Sequence, residues 1–399
     1  MASSAPAPAD SIDAPDFSLF AGGPFFKLLR RAHLSDEGQA RLPRPVVVIT
    51  LLAWLPLLGL SALEGHLVAG TVAVPFLADA EAHIRFLVAL PLLLIAEVLA
   101  DQRMRPLTRQ FLDRHLIPDS ARSQFIAAAA SVTRLRDSGL EVLLIPFVYG
   151  VGILIVWQRY VAIATPTWYR IPSADGVSLT LAGKWYGLVS IPIFQFLLCR
   201  WYLRLVIWAR FVWQVSRIDL RLMPAHPDRM GGLGFLPFAV RPFAVLAMAH
   251  GALLAGFIAN QVLYLRAIPA GFKVEVATMA AFVVVATAGA LVFFTPMFLK
   301  ARRKGLDQYG RLAERYVRGF DAKWLGDRAP DDRLVGSPDI QSLADLANSF
   351  QVARSMRAVP ISKELLFWIL GAMLLPLAPL LLTLVPLEAL LNRVARILF

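Results

Sequence analysis

The chain has 399 residues, of which 57% are hydrophobic and 17% charged, with a mean hydropathy of +0.61. A soluble domain of this size cannot bury so much apolar surface, so these values exclude an ordinary soluble protein. The net charge is +12, but the basic residues lie beside apolar segments, which excludes a nucleic-acid surface and indicates membrane topology signals. Cys199 is the only cysteine, so neither an intrachain disulfide nor a multi-cysteine metal site is expected, and no cofactor is indicated.

Residues 1–45 are predicted to form a cytoplasmic tail. Within it, residues 17–34 mix Phe and Leu with Lys27, Arg30 and Arg31, which is typical of a helix lying along the inner membrane interface. No basic region followed by a short apolar core and cleavage site occurs, so no cleavable signal peptide is expected.

Seven apolar segments follow, each close to the ~20 residues that a helix needs to cross a bilayer. Six of them form a membrane domain predicted for residues 46–300, at 46–63, 84–100, 143–163, 185–206, 242–265 and 276–299. The seventh, 365–385, lies in a C-terminal hydrophobic segment, 364–399, where Pro376, Pro379 and Pro386 can break the helix or turn it back. The predicted fold is all-α and polytopic, with six transmembrane helices plus this proline-rich seventh.

Lysine and arginine concentrate in alternate gaps between these segments. Of 40 basic residues, 29 fall before residue 46 or within 101–139, 211–241 and 300–363. Because positively charged loops stay on the cytoplasmic side, this pattern predicts a multi-pass protein with a cytoplasmic N-terminus. The cytoplasmic parts would then be the tail, a hairpin at 101–139, a loop at 214–237 and a layer of amphipathic helices at 301–363. Ser337 and Pro338 are typical of the start of a helix in that layer.

Four segments carry a family resemblance: AWLPLLGLSALEG at 53–65, FLADAEAHIRFLVALPLLLIAE at 76–97, HPDRMGGLGFL at 226–236 and DIQSLADLANSF at 339–350. They resemble a family of polytopic proteins of the bacterial inner membrane for which no activity is assigned. The resemblance implies a bacterial inner-membrane location and the same multi-span layout. It implies no catalytic residue.

Ionisable residues inside the spans are candidates for a polar path. Glu97 and Arg200 lie 13 and 15 residues along their spans, so both are expected roughly 20 Å from the outer helix ends. A charge at this depth is costly unless it pairs or meets water, which predicts a contact between Glu97 and Arg200. Arg204 lies one turn further on the same face, and His250 is expected near mid-membrane. Two interpretations stay open: a path for solutes or protons, and a structural pair beside a snorkelling arginine.

Two loops carry further candidates. The connection between the first two spans carries imidazoles and carboxylates, at Glu64, His66, Asp79, Glu81 and His83. These groups can bind a divalent transition metal or pass protons, and the alternative is a solvated acidic loop without a bound ion. The loop at 214–237 carries a second group of candidates, His226, Asp228, Gly231, Gly232 and Gly234. Their backbone N–H groups can form a nest that binds an anion or phosphate, and the alternative is a tight turn without a ligand.

Three functions are compatible with these features. The first is transport or permeation of a solute or ion through a polar intramembrane path. The second is a non-enzymatic anchor or regulator, whose basic inner helices bind anionic lipid or a cytoplasmic protein partner. The third is an interfacial enzyme that uses His226 and Asp228 with Asp219 or Glu141 as acid, base or metal ligand, although no catalytic or nucleotide-binding motif occurs. The sequence does not indicate an oligomeric state.

Overall fold

A computed structural model describes residues 18–19, 22–32, 43–157, 166–173, 176–265, 267–326 and 336–381. It is 78% helical and 2% strand. Six of its helices are long and apolar enough to cross a membrane, which fits a membrane-embedded protein.

The helices run in chain order as α1 (Gly23–Arg31), α2 (Pro43–Leu63), α3 (Ala80–Asp113), α4 (Arg122–Asp137), α5 (Leu140–Phe147), α6 (Leu181–Ser216), α7 (Leu236–Val240), α8 (Phe243–Leu265), α9 (Lys273–Trp324), α10 (Pro338–Arg354) and α11 (Lys363–Leu380). The six long apolar helices are α2, α3, α6, α8, α9 and α11. Isolated 3₁₀ turns cover Phe76–Ala78, Asp119–Ala121 and Pro269–Phe272.

Several spans change their winding locally. A π-helical segment lies in α3 at Ile84–Ala89, in α6 at Tyr186–Ser190 and directly after α5 at Val148–Trp157. The helices α9 and α11 contain 3₁₀ turns at Gly289–Phe294 and Leu375–Leu377.

The predicted spans correspond closely to these helices. The first, second, fourth, fifth and sixth match α2, α3, α6, α8 and α9. The third is helical from Leu140 to Trp157, and residues 158–163 lie outside the described chain. The proline-rich seventh matches α11, so Pro376 and Pro379 change its winding without ending it before Leu380, whereas Pro386 lies outside the described residues.

The described chain is mostly helical, as predicted, with one additional element. Strand β1 (Arg170–Ser173) pairs antiparallel with β2 (Gly176–Leu179), with Arg170 opposite Leu179. This hairpin lies between the third and fourth spans. The many turn-forming residues of this segment indicated a loop, so its short strands were not predicted. The Asp-Gly dipeptide at 175–176 was only a weak signal for this hairpin, because the register pairs Gly176 with Ser173 and so places Gly176 in the strand.

The helix α8 lies at the centre of the bundle. It packs against α3 on one side and α11 on another. The contact with α11 depends on Gly251, because a Cβ there would stand 1.8 Å from the carbonyl oxygen of Met373. Trp201 of α6 also packs on Phe243 of α8, at 6.1 Å between ring centroids. These contacts place α6 beside α3 and α8, where the ionisable residues of the spans lie.

Beyond its apolar part, α9 continues to Trp324 and pairs with α10. The N-terminal turn of α10 is held by Asp339, which accepts hydrogen bonds from Lys323 Nζ and Trp324 Nε1, both at 3.0 Å. Ser337 caps α10 by accepting the N–H of Asp339 at 3.2 Å, as its sequence position predicts. The two helices form an arm, defined as α9 from Lys300 onward together with α10.

Candidate functional site

Four charged side chains form a buried ion-pair cluster: Glu97 of α3, Glu141 of α5, and Arg200 and Arg204 of α6. Arg200 donates from Nε to Glu141 Oε1 at 3.0 Å and also pairs with Glu97 through Nη1. Arg204 pairs with Glu141 through Nη2. Three members are 1% exposed, whereas the side chain of Glu97 is 12% exposed. Two positive and two negative charges compensate each other, which is the condition for burying them together.

The local structure explains how these groups meet. Arg200 and Arg204 are four residues apart on α6 and therefore share a helix face. Glu141 lies in the first turn of α5, where a carboxylate is favourable to the helix dipole. Gly139, at φ +75°, supplies the left-handed residue that turns the chain from α4 into α5. The cluster thus lies at the end of α5 that follows the basic residues of α4, and this end of the bundle is called the arginine-rich end.

The helix α1 covers the cluster. Its Phe25 N–H donates to Glu141 Oε2 at 3.2 Å, and the Phe25 ring lies under the guanidinium of Arg200, with 4.9 Å from Cζ to the ring centroid. The approach is close because Gly23 has no side chain. A Cβ there would stand 3.0 Å from Glu141 Oε2 and 3.1 Å from Arg204 Nη2. The start of α1 is therefore in direct contact with the buried charges.

A small number of polar contacts hold α1 in place. Gly23 N–H donates to Asp137 Oδ1 at 2.9 Å, Arg136 donates to the carbonyl of Ser18 at 2.8 Å, and the Ser18 hydroxyl bonds to Asp101. The hydrogen bond from Arg136 lowers the pKa of Asp137 in spite of its burial, and the N–H of Gly23 adds to this effect. Gly23 is the only buried residue of α1. The rest of α1 is half-buried or exposed, and Phe25 packs on Phe196 at 5.4 Å between ring centroids, so the first turn of α1 makes its main contacts with the bundle.

The cluster has unused hydrogen-bonding capacity. The Nε and Nη1 atoms of Arg204 are buried and have no acceptor among the described residues. Buried donors without partners are unfavourable, by about 1–3 kcal/mol each and more for a charged group. These two N–H groups are therefore a place where water or an arriving acceptor would gain binding energy.

His250 belongs to a different contact. Its Nδ1 lies 2.8 Å from the carbonyl of Leu246, and its Nε2 lies 2.8 Å from the hydroxyl of Tyr202 on α6. A carbonyl only accepts, so Nδ1 carries a proton, and Nε2 of a neutral ring accepts from Tyr202. With both nitrogens engaged and 4% of the residue exposed, His250 joins α8 to α6. The structure does not bring it into the ion-pair cluster.

Four of the five candidate metal residues at the adjoining ends of α2 and α3 have side-chain partners of their own. Asp79 accepts from Trp168 Nε1 and Asn260 Nδ2, both at 2.8 Å, and it caps the start of α3. Glu64 accepts the N–H groups of Leu181 and Ala182 at 2.7 and 3.2 Å.

Glu81 pairs with Arg85, and His83 Nδ1 accepts from Trp54 Nε1 at 3.0 Å. His66 differs: its backbone carbonyl accepts the N–H of Phe76 at 3.0 Å, but the buried Nδ1 of its imidazole has no partner among the described residues. Within the described ranges, no group of three His, Cys, Asp or Glu residues could hold a metal ion. The contacts of Glu64 and Asp79 instead join α2 to the start of α6 and the start of α3 to α8.

The glycine-rich loop forms a backbone nest, and the chain's own carboxylate fills it. Asp228 accepts the N–H groups of Met230, Gly232 and Gly234 at 2.7, 3.1 and 2.8 Å. Gly231 and Gly232 adopt φ of +65° and +100°, which the nest requires. Burial alone would raise the pKa of Asp228, but these three N–H groups outweigh burial and lower it.

The carboxylates proposed for an interfacial enzyme belong to three different places. Glu141 pairs with arginines in the buried cluster, Asp219 lies 3.7 Å from Lys300 with 91% of its side chain exposed, and Asp228 binds its own loop. Only His226 and Asp228 are paired, at 2.9 Å between Nδ1 and Oδ1. The geometry offers no substrate position between them.

Sequence reasoning missed two parts of the cluster. The sequence suggested Glu141 as an acid, base or metal ligand, but its place at the start of an apolar segment beside Arg134 and Arg136 also indicates a paired charge. The docking of α1 had a weaker signal, the Gly22–Gly23 pair at which the helix begins. Comparisons of the chain with protein-family models, curated proteins and solved structures give no match, so the interpretation of the cluster depends on its own geometry.

Proposed function

We propose that this is a multi-pass protein of the bacterial inner membrane with a cytoplasmic N-terminus, and that it conducts protons or small solutes along a path through the ion-pair cluster. The alternation of basic gaps supports this orientation. In it, the arginine-rich end faces the cytoplasm and α1 lies over the cytoplasmic mouth of the path as a gate.

The observation that carries the proposal is a buried, neutral cluster of two arginines and two glutamates between α3, α5 and α6, covered by α1. Apolar packing of similar volume is often as stable as a buried ion pair, so stability alone is a weak reason to keep four charges there. Ionisable residues within spans most often mark substrate, ion or proton pathways. The closed position of α1 is then the resting state.

Within the cluster, Glu97 is suited to exchange protons. It is the most exposed of the four members, and its described contact is a single ion pair with Arg200. Glu141, by contrast, accepts from both arginines and from the N–H of Phe25. Glu97 can therefore gain a proton with less loss of bonding, while Glu141 holds the arginines in place.

The test is proton flux into liposomes that contain the full-length protein, measured with a trapped pH-sensitive dye under an imposed potential. Phe25→Ala removes the ring under Arg200 and is expected to raise flux several-fold. The matched control, Leu28→Ala, changes a side chain of α1 that is 61% exposed and should leave flux unchanged. Glu97→Gln and Arg200→Gln should abolish flux at unchanged protein abundance in the membrane.

The combined variant Phe25→Ala with Glu97→Gln decides whether the cluster conducts. Flux equal to that of Phe25→Ala alone would show that protons avoid Glu97 and would reject the path. Loss of folding in parallel with loss of flux in Glu97→Gln and Arg200→Gln would assign the cluster a structural role instead.

A second candidate, an anchor or regulator, is favoured by the arm. Its helices leave apolar side chains exposed outside the spans, among them Leu312 at 42% and Ile340 at 49%. Deletion of residues 328–357 tests this role. A regulator should lose a cytoplasmic partner while the spans and the proton flux remain intact, and a deletion without any effect would reject it.

A further inference from the structure

We infer that a second site at the arginine-rich end binds the phosphate headgroup of an anionic phospholipid. The site is a cleft of about 790 Å³, named here the basic cleft, and three guanidinium groups line it: Arg103, Arg114 and Arg241. Its volume lies within the range of about 300–1,000 Å³ that small ligands occupy. None of its lining residues belongs to the ion-pair cluster.

The charges of the basic cleft fit an anion. Asp228 is the one carboxylate among the lining residues, and its oxygens already accept three backbone N–H groups of the glycine-rich loop. That loop therefore offers its donors to Asp228 and leaves recognition of a ligand to the three arginines. A guanidinium can bind phosphate with two parallel hydrogen bonds, which makes arginine the side chain best suited to this ligand.

Aromatic rings hold two of the arginines without using their N–H groups. The Cζ of Arg241 lies 4.2 Å from the centroid of Phe238, and the Cζ of Arg114 lies 5.0 Å from that of Phe235. Contacts of this kind fix the plane of a guanidinium while its edge keeps its donors. Arg114 gives one donor to the carbonyl of Gly232, at 3.3 Å, and so stays at the wall of the cleft.

The position of the cleft favours a lipid over a soluble phosphate. It lies between α3, α7 and α11, which line it through Arg103, Ala239 and Trp368. Phe238 and Trp368 also line it, and each is 55% exposed. Tryptophan is enriched where spans leave the hydrocarbon, and basic pockets between spans bind lipid headgroups. A phospholipid would place its phosphate against the arginines and its chains along these exposed rings.

The experiment counts phospholipids that remain bound to the full-length protein in neutral detergent, by native mass spectrometry. Phosphatidylglycerol should be retained at one molecule per chain, and phosphatidylcholine should not. Each of Arg103→Gln and Arg241→Gln should weaken retention about five-fold, the effect of one basic residue near an anionic surface. The matched control is Arg217→Gln, which removes an arginine that also stacks on an aromatic ring, Trp213, outside the cleft.

Two further measurements separate loss of lipid binding from loss of folding and from binding of a soluble phosphate. Arg103→Lys with Arg241→Lys keeps the charge but loses the paired hydrogen bonds, so it should retain less lipid than the wild type and more than Arg103→Gln with Arg241→Gln. That order separates loss of binding from loss of folding. Soluble glycerol phosphate should not displace the lipid at equal concentration. The inference would be overturned by equal losses in Arg217→Gln and the cleft variants, or by full lipid retention in the double variant Arg103→Gln with Arg241→Gln. Binding of glycerol phosphate as tight as that of the lipid would overturn it as well.

Discussion

Glu141 is the residue on which the ion-pair cluster depends most. It accepts from Arg200, from Arg204 and from the N–H of Phe25, and 1% of it is exposed. Glu97 pairs with one arginine and keeps 12% of its side chain exposed. Loss of Glu141 would leave two buried cations with a single carboxylate, whereas loss of Glu97 leaves both arginines bonded to Glu141.

We therefore expect Glu141→Gln to lower the free energy of unfolding by about 3–5 kcal/mol, the range for breaking a buried ion pair by removing one partner. Glu97→Gln should have a clearly smaller effect, because water can replace part of its contact. Unfolding of the purified variants in detergent, followed by tryptophan fluorescence, measures both. Equal losses in the two variants would contradict the unequal roles assigned to the carboxylates.

The contact between Glu97 and Arg200 could be predicted from depth alone, since a charge inside a span needs a partner at the same level. The third and fourth members of the cluster were harder to foresee. Arg204 could equally have reached the interface, and Glu141 has a local explanation as a helix-dipole partner. Their shared position depends on how α5 and α6 pack, which hydropathy and charge do not specify.

Among the elements, α1 could be predicted from its sequence as a helix, but its docking site could not. Its mixture of aromatic and basic residues predicts an interfacial helix, and a helix is present at Gly23–Arg31. Its docking onto buried charges is a tertiary contact that no periodicity encodes. The β-hairpin was missed for the opposite reason, because four-residue strands are too short to stand out among turn residues.

The close approach of α1 can be tested at Gly23, with Gly65 as the control. Both have left-handed φ values, +83° and +72°, but a Cβ at Gly23 meets Glu141 and Arg204, whereas a Cβ at Gly65 meets nothing within 4 Å. Gly23→Ala should therefore undock α1 and speed tryptic cleavage at its exposed basic residues several-fold. Gly65→Ala should leave cleavage unchanged. Similar cleavage of both variants would show that backbone strain, and not the contact with the cluster, explains the effect.

At the scale of the whole molecule, apolar length and the alternation of basic gaps were sufficient to locate the long helices. Both signals are sums over many residues, so they survive local exceptions such as Pro376 in α11. The order in which the helices pack is a different matter. It depends on single close contacts, such as Gly251 of α8 against the backbone of α11, whose significance is visible only in three dimensions.

The central claim is that α1 rests on the ion-pair cluster and closes it. Amide hydrogen exchange of Gly23 and Phe25 in the wild-type protein tests this most directly. The first-turn N–H groups of a helix have no intrahelical acceptor, so protection has to come from Asp137 and Glu141. We predict exchange at least about tenfold slower than in an isolated peptide of residues 18–32. Exchange of both amides at the rate of the peptide, while α3 and α6 stay protected, would contradict the claim.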